Sequence, residues 1–516
     1  MHAVAAPRRS VLHRLAPFDL RRGEGRTASL MFAAVFSIMC AYYMVKPLRE
    51  GWIAVSAIGG LSRVEIKAYS SLAQSLLLLG IVGAYARFAA RRTARTVLRR
   101  SAFACAAALA MFWVAQPDFL LATVPGLGIA FYLWVGMFGV FVVAQFWAFA
   151  TDLYGDDRGR RLLPLVAIGG TSGAAAGSWL HDALAGLGPL GTHGILLCAI
   201  APLLAATALA QAAAGASAGA AAPSPSAASV RPGAASLRRV VSDRFVLAAG
   251  MLALLFSWTT TNGENLLFQI VQDGVARAAE APGVDGVAAL AHARAATTAF
   301  YGDFYLWTNL AALVVQIVVT SRLLTRGGLA AILFVLPLLA LLASAIAALA
   351  PVLAILKWVK VAEQATDYSL NHTARQVLWL PASAETKVES KPTVDALFVR
   401  LGDGLAALTV LASSHLGGYA VEILIAVNVV LAALWLVVAC VVVREHGQLV
   451  ARRAAEAAAA VTPVLCRATR RLVRRTARTA HAILAAPTAL WDGVAAKRLD
   501  LLPIGRGHPP PVALAA

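Results

Sequence analysis

The chain has 516 residues, of which 59% are hydrophobic and only 14% charged, with a mean hydropathy of +0.72. A soluble protein carries about a quarter charged residues, so this balance excludes one, and apolar runs long enough to cross about 30 Å of hydrocarbon recur along the chain. The net charge of +19 lies between and after those runs, which points to basic loops and anionic lipid headgroups and not to nucleic acid.

The first 26 residues are basic, with Arg8, Arg9, Arg14, Arg21, Arg22 and Arg26. The apolar run that follows leads into Lys46, Arg49 and Glu50 instead of a small-residue cleavage site, so it reads as a retained first span and not as a signal peptide. Spans are predicted at 27–53, 66–88, 97–115, 124–153, 160–184, 191–212, 245–271, 299–321, 328–350, 351–372, 392–414 and 419–443. In lipid the backbone must satisfy its own hydrogen bonds, and the short alternating segments of a barrel are missing, so the class is all-α with about twelve transmembrane helices.

The connections alternate in basic content. Arg91, Arg92, Arg95, Arg99 and Arg100 follow span two, and Arg158, Arg160 and Arg161 follow span four. Arg231, Arg238 and Arg239, then Arg322 and Arg326, then Arg375, Lys387 and Lys391 mark later even connections. The positive-inside rule therefore puts both termini in the cytoplasm. Residues 211–236 have a linker composition of Ala, Gly, Ser and Pro. The expected organisation is a basic N-terminus (1–26), a six-helix half (27–212), a cytoplasmic linker (213–240), a second six-helix half (241–443) and a basic tail (444–516). In the tail, Arg452, Arg453, Arg467, Arg470, Arg471, Arg474, Arg475 and Arg478 suit an amphipathic helix on lipid, and Pro503–Ala516 is expected to be disordered.

No nucleotide-binding loop and no HExxH pattern is present, so neither an enzyme nor an ATP-driven pump is expected. Cys40, Cys105, Cys198, Cys440 and Cys466 form no CxxC pair, and no metal or other cofactor is expected. Span ten carries the strongest functional signal. At 100° per residue, Lys357, Lys360, Glu363, Gln364, Asp367, Asn371 and Arg375 share a sector of about 120°, which suits a wet cavity wall or an internal set of ion pairs. Ser257, Thr261, Glu264, Asn265 and Gln272 form a second stripe in span seven, where Glu264 is either a working acid or one bathed at an outer mouth. Lys46 and Arg49 flank Pro47 and suit either an anionic ligand at a disturbed helix or snorkelling to headgroups. Gln145 and Asp152 share a face of span four, and Arg400 and Asp403 in span eleven have i,i+3 spacing. In span five, Gly169, Gly173 and Gly177 recur every fourth residue as a packing seam.

Two six-span halves joined by a linker match the major facilitator architecture, in which substrate lies between the halves. Several segments go further. YYMVKPLRE, AQFWAFATDLYGDDRGRRLLPLVAIGGTSGAAAGS, KVAEQATDYSLNHTARQVLWLPASAETK and DALFVRLGDGLAALTV resemble the nucleotide transporter family of plastids and intracellular bacteria, the ATP:ADP antiporters, over roughly residues 27–440. The resemblance implies a major-facilitator-like fold, a bacterial inner membrane, and exchange of ATP, ADP or another phosphorylated anion by alternating access. Lys46 and Arg49 take the places of that family's Arg and Lys at the end of span one, and Glu264 matches its acid in span seven. Its acid in span four falls at Gly136, and its Lys after RLG falls at Asp403. Lys46, Arg49, Glu264, Lys357, Lys360, Asp367 and Arg400 are the expected substrate-binding residues. A proton-coupled transporter of a non-nucleotide or lipid-like solute, and a non-transporting scaffold or sensor, stand as alternatives.

Overall fold

The computed structural model describes residues 21, 24–89, 93–124, 126–216, 234–279, 286–349, 352–416 and 420–484. Every regular element among them is helical. In chain order these are α1 (Gly25–Ala54), α2 (Arg63–Ala89), α3 (Ala94–Val114), α4 (Asp118–Thr123), α5 (Leu127–Ala185), α6 (Pro189–Cys198), α7 (Ile200–Ala216), α8 (Ala234–Ser242) and α9 (Arg244–Ala279). Then follow α10 (Gly286–Val314), α11 (Thr320–Leu349), α12 (Leu353–Thr366), α13 (His372–Leu378), α14 (Ala384–Glu389), α15 (Lys391–Thr393), α16 (Val399–Ser414) and α17 (Ala420–Leu484). π-helical turns occupy Val315–Val319, Asp367–Asn371 and Val394–Phe398.

Among the described residues nine helices are long and apolar enough to cross a membrane. The other three predicted spans fall on α2, on the second leg of α5, and on α12 with its π turn, all of them helical. Lys357, Lys360, Glu363 and Asp367 make the last of these too polar to stand out by composition. With these three, the helical passes number twelve.

Helix α5 holds two passes. Gly128 lies against Trp52 and Gly139 against Tyr42, so the first leg runs antiparallel to α1. Gly169, Gly173 and Gly177 lie against the backbone of Phe32, Phe36 and Cys40, so the second leg runs parallel to it. The chain reverses between them, close to where Tyr154 donates to the Thr27 carbonyl at 3.1 Å and Arg161 grips Glu24. A Cβ added at Gly173 would overlap the Phe36 backbone, whereas one at Gly170 would meet only side-chain atoms of Val35 and Met39 at ordinary contact distance. Gly173→Ala should therefore cost about 1–3 kcal/mol or more through overpacking, and Gly170→Ala should be tolerated. Thermal unfolding of the two variants tests this, and equal midpoints would remove the seam's structural role.

The helices after residue 233 repeat the arrangement. Helix α9 pairs in parallel with α16, with Gly250 against Phe398, Gly402 against Leu254, and the Trp258 indole donating to Thr409 at 3.0 Å. Two antiparallel contacts then join the repeats. Helix α2 meets α16 through Ser414, which donates to Glu65 at 2.8 Å, and through Leu72 against Gly404. The second leg of α5 meets α10 through Asn309, which donates to Ser178 at 3.0 Å, and Thr171, which donates to Gln316 at 2.7 Å. Residues 28–213 build one apolar core and residues 240–442 another. A third cluster takes Tyr43, Ile53 and Ile66 from the first set and Leu266, Phe268 and Tyr305 from the second, and it surrounds the centre of the molecule.

At the end that carries the basic connections, Arg161 donates to both carboxylate oxygens of Glu24 at 2.9 Å, and Arg158 approaches at 3.3 Å. The hydrogen bond from Arg161 is the main cause that holds the Glu24 carboxyl down at about 2, from an ordinary 4.5. A carboxyl whose pKa falls on folding stabilises the folded chain above its unfolded value, and that contribution disappears as pH drops from about 4.5 toward about 2. The unfolding midpoint should therefore fall more steeply below about pH 4.5 in the wild type than in Glu24→Gln. Parallel curves would show that the contact contributes nothing.

The predicted linker 213–240 contains the start of α8, and its residues 217–233 lie outside the described residues. Arg239 of α8 pairs with Glu385 at 2.9 Å and Glu389 at 2.6 Å, contacts open to solvent. Residues 1–449 form one compact unit and Val450–Ala516 another. Within the second, Arg452 and Arg453 are exposed on α17. The side chains of the tail arginines from Arg467 to Arg478, and all of Pro503–Ala516, lie outside the described residues, as do Arg8, Arg9, Arg14 and Arg22.

Candidate functional site

The site begins with α1. Pro47 sits inside this helix without ending it, and the His181 imidazole bonds the Met44 carbonyl at 2.8 Å one turn before it. Lys46, Arg49 and Glu50 thereby enter the interior, each at most 9% exposed. Lys46 is therefore not snorkelling to headgroups. Its ammonium donates to the Tyr368 hydroxyl at 3.0 Å and lies 4.1 Å from the Tyr305 ring centroid and 5.0 Å from that of Tyr43, with Tyr42 and Tyr368 completing the cage. These rings present their negative faces to the charge. Among the described residues Lys46 has no carboxylate partner.

Arg49 pairs with Glu50 and stacks over Tyr132 at 4.6 Å. Glu50 is shared, for Lys67 of α2 reaches its other oxygen at 3.0 Å while lying 4.2 Å from the Phe268 ring. The sequence reading missed Lys67. It stands at the edge of span two, where a lysine ordinarily reaches for headgroups, and only the fold turns it inward against Glu50.

Across from these cations stand α9, α10 and α12. Glu264 is half-buried and accepts from Gln364 at 2.6 Å, and it is not an acid bathed at an outer mouth. Lys360 and Glu363, both buried, pair at 2.8 Å one helical turn apart. Asp367 opens the π turn and accepts from Asn371 at 2.8 Å. Glu50, Lys67, Glu264, Tyr301, Lys360 and Gln364 line one cavity of about 260 Å³ at the meeting of the two repeats. Two polar atoms on that wall, the Tyr301 hydroxyl and the Gln364 side-chain oxygen, are buried without a partner. Only about 10 Å³ of that space can be reached by water, so the centre is closed in this conformation.

Of the expected substrate-binding residues, Glu264 and Lys360 line this cavity, whereas Lys46, Arg49 and Asp367 do not, although Lys46 lies against Tyr305 of its wall. Glu264 and Asp367 lie within electrostatic reach of Lys46. Lys357 is bound instead to Asp303, and Arg400 to Asp403 at 2.7 Å, both away from this cavity. Asp403 also accepts hydrogen bonds from Ser257 and Thr261, so this acid is fully engaged within its own repeat. At Gly136 the Gln74 amide occupies the space that any side chain there would take. Beyond the cavity, Arg294 joins the repeats through Asp118 at 2.9 Å and the Gln116 carbonyl at 3.0 Å. Among the described residues no cluster of His, Cys, Asp and Glu suits a metal ion.

No family model matches the chain, and no curated protein matches it. Solved structures share its fold. A POT family transporter in complex with a thioalcohol conjugated peptide is 11% identical, with 82% of this chain and 96% of that one covered and a TM-score of 0.57. A POT family transporter in complex with 5-aminolevulinic acid is 12% identical, with coverages of 84% and 99% and a TM-score of 0.54. The human organic anion transporter MFSD10 (TETRAN) is 15% identical, with coverages of 82% and 100% and a TM-score of 0.50. The chain is thus a multi-pass, all-α membrane protein of major-facilitator-like fold.

Proposed function

We propose that this chain is a secondary transporter that carries a small solute with an anionic group between its two repeats by alternating access. One observation carries the reading. A buried ammonium, Lys46, forms no ion pair among the described residues, and it lies within electrostatic reach of Glu264 and Asp367 of the other repeat as well as of Glu50, which is already engaged by Arg49 and Lys67. Charge buried in hydrocarbon is costly, and a passive scaffold has no use for it. A solute that touches both repeats would couple its own binding to their closure. The transporters of like fold bind a conjugated peptide and 5-aminolevulinic acid, so a small-molecule ligand suits the architecture.

The sequence resemblance narrows this to exchange of ATP for ADP or a related phosphorylated anion. The charge of the centre favours the second reading, a non-nucleotide solute of low net charge. Lys46, Arg49, Lys67 and Lys360 are balanced by Glu50, Glu264, Glu363 and Asp367, and a triphosphate would add several negative charges beside two unpaired acids. Counterflow in proteoliposomes separates the two. Labelled ATP should enter vesicles preloaded with ADP no faster than empty ones, while a small solute of low net charge should show acceleration. ATP counterflow abolished by Lys46→Gln would restore the nucleotide reading.

The alternation of basic connections supports, by the positive-inside rule, a topology with both termini on the cytoplasmic side. Reporters fused after Arg92 and Lys387 should read inside and those after Val114 and Leu416 outside, and the reverse pattern would invert the topology.

A further inference from the structure

We infer that the central site takes a zwitterion, with the anionic group against Lys46 and a protonated amine against Glu264 and Asp367. This rests on the transport reading and names the substrate class for the same site. The starting point is which charges already have partners. Glu50 holds Arg49 and Lys67 together, and Lys360 holds Glu363. Lys46 is left on the first repeat, and Glu264 and Asp367 are left on the second. Among the described residues none of the three forms an ion pair; their hydrogen bonds go to Tyr368, Gln364 and Asn371, and Lys46 also lies against the rings of Tyr43 and Tyr305.

The leftover charges are opposite in sign and lie on opposite repeats. A plain carboxylate would answer Lys46 and leave two acids without a cation in a poorly solvated space. A plain amine would leave the ammonium, and a polyanion would press against both acids. A zwitterion answers both sides and adds no net charge to the centre. It also spans the repeats, so that each end would draw its own wall inward. The unpartnered Tyr301 hydroxyl and Gln364 oxygen supply further hydrogen bonds along the wall.

The test uses the purified full-length chain and three series of matched length: ω-amino acids from glycine to 6-aminohexanoate, the corresponding carboxylates, and the corresponding amines. Affinity is read from the concentration dependence of the unfolding midpoint, because a ligand that binds the native state raises it. At the best length the zwitterion should bind at least about tenfold more tightly than either partner compound, the equivalent of one added charge contact. The pair Glu264→Gln and Asp367→Asn should bring that preference to within about twofold, with Asp367→Asn alone carrying the test if the pair does not fold. Equal affinity for carboxylate and zwitterion at every length, binding by none of the series, or a preference that survives the substitutions would each overturn the assignment. Counterflow of the same compounds separates this from the transport reading. Zwitterion preference in binding without counterflow keeps the site and rejects transport. Counterflow of a plain carboxylate as fast as the zwitterion keeps transport and rejects the zwitterion.

Discussion

Glu50→Gln should destabilise the protein by about 3–5 kcal/mol, the cost of leaving buried charges without their partner. Glu50 is 1% exposed and is the carboxylate between Arg49 and Lys67, which are themselves 9% and 4% exposed. The glutamine is nearly the same shape, so packing is preserved and the charge alone is lost. Two cations would then face each other in a space with little water, and the chain would have to open to relieve them. Adding Lys67→Met should recover part of the loss, since it removes one of the stranded charges. Glu385→Gln is the control: its partner Arg239 is 38% exposed, and such surface pairs contribute about 0–1 kcal/mol. Thermal unfolding of the four proteins in one detergent gives the comparison. A Glu50→Gln protein within about 1 kcal/mol of the wild type would show that the triad is open to water.

Lys46→Gln should do the opposite to stability and remove function. Lys46 makes no direct ion pair among the described residues, so the substitution takes a buried ammonium out of the core without breaking a carboxylate contact. Tyr368 keeps a hydrogen-bonding partner in the glutamine amide. The folded protein should be as stable as the wild type or more so, as expected where a binding site is held at the expense of stability. The solute's anionic group would meanwhile lose its counter-charge. Truncating one side of a buried charge contact costs about 2–5 kcal/mol of binding, a loss of roughly 30-fold or more in affinity. Transport into proteoliposomes should fall by at least that factor at low solute concentration. Lys357→Gln, whose lysine is bound to Asp303 away from the cavity, should not reproduce this pattern of a stable but inactive protein. Transport unchanged in Lys46→Gln would remove Lys46 from the site.

Particular residues show what could be read before folding. Lys46, Arg49, Glu264, Lys360 and Asp367 are conspicuous in sequence because each is an ionisable group in an apolar run, where the alternative to a protein or water partner is hydrocarbon. Gly169, Gly173 and Gly177 are conspicuous for the same kind of reason, since a row of missing side chains on one helix face has meaning only against another backbone. Lys67 and the tyrosine cage are not conspicuous: a lysine near a span edge and tyrosines within spans are ordinary there. The uniform 100° stripe of span ten could not anticipate that its residues would divide among five separate contacts. Lys357 goes to Asp303, Lys360 to Glu363, Gln364 to Glu264, Asp367 to Asn371 and Arg375 to Asp395. The π turn at Asp367–Asn371 also ends the regular α-helical spacing on which that stripe was drawn.

The sequence by itself determined that this is an all-helical membrane protein and where its passes lie, because the bilayer imposes a length and an apolarity on every span, one segment at a time. It also marked which polar groups would have to find company. The pairing of those groups was decided only by tertiary structure. Ion pairing in the centre joins α1 to α2, Lys46 reaches from α1 to the π turn after α12, and the glycine seam on the second leg of α5 lies against α1. Glu50 and Lys67 stand on different helices and Lys46 and Tyr368 on different repeats, so these partners meet only when the helices pack. Local pattern can therefore show that a buried charge exists, while the identity of its partner, and with it which charges remain for a ligand, follows from how the helices pack.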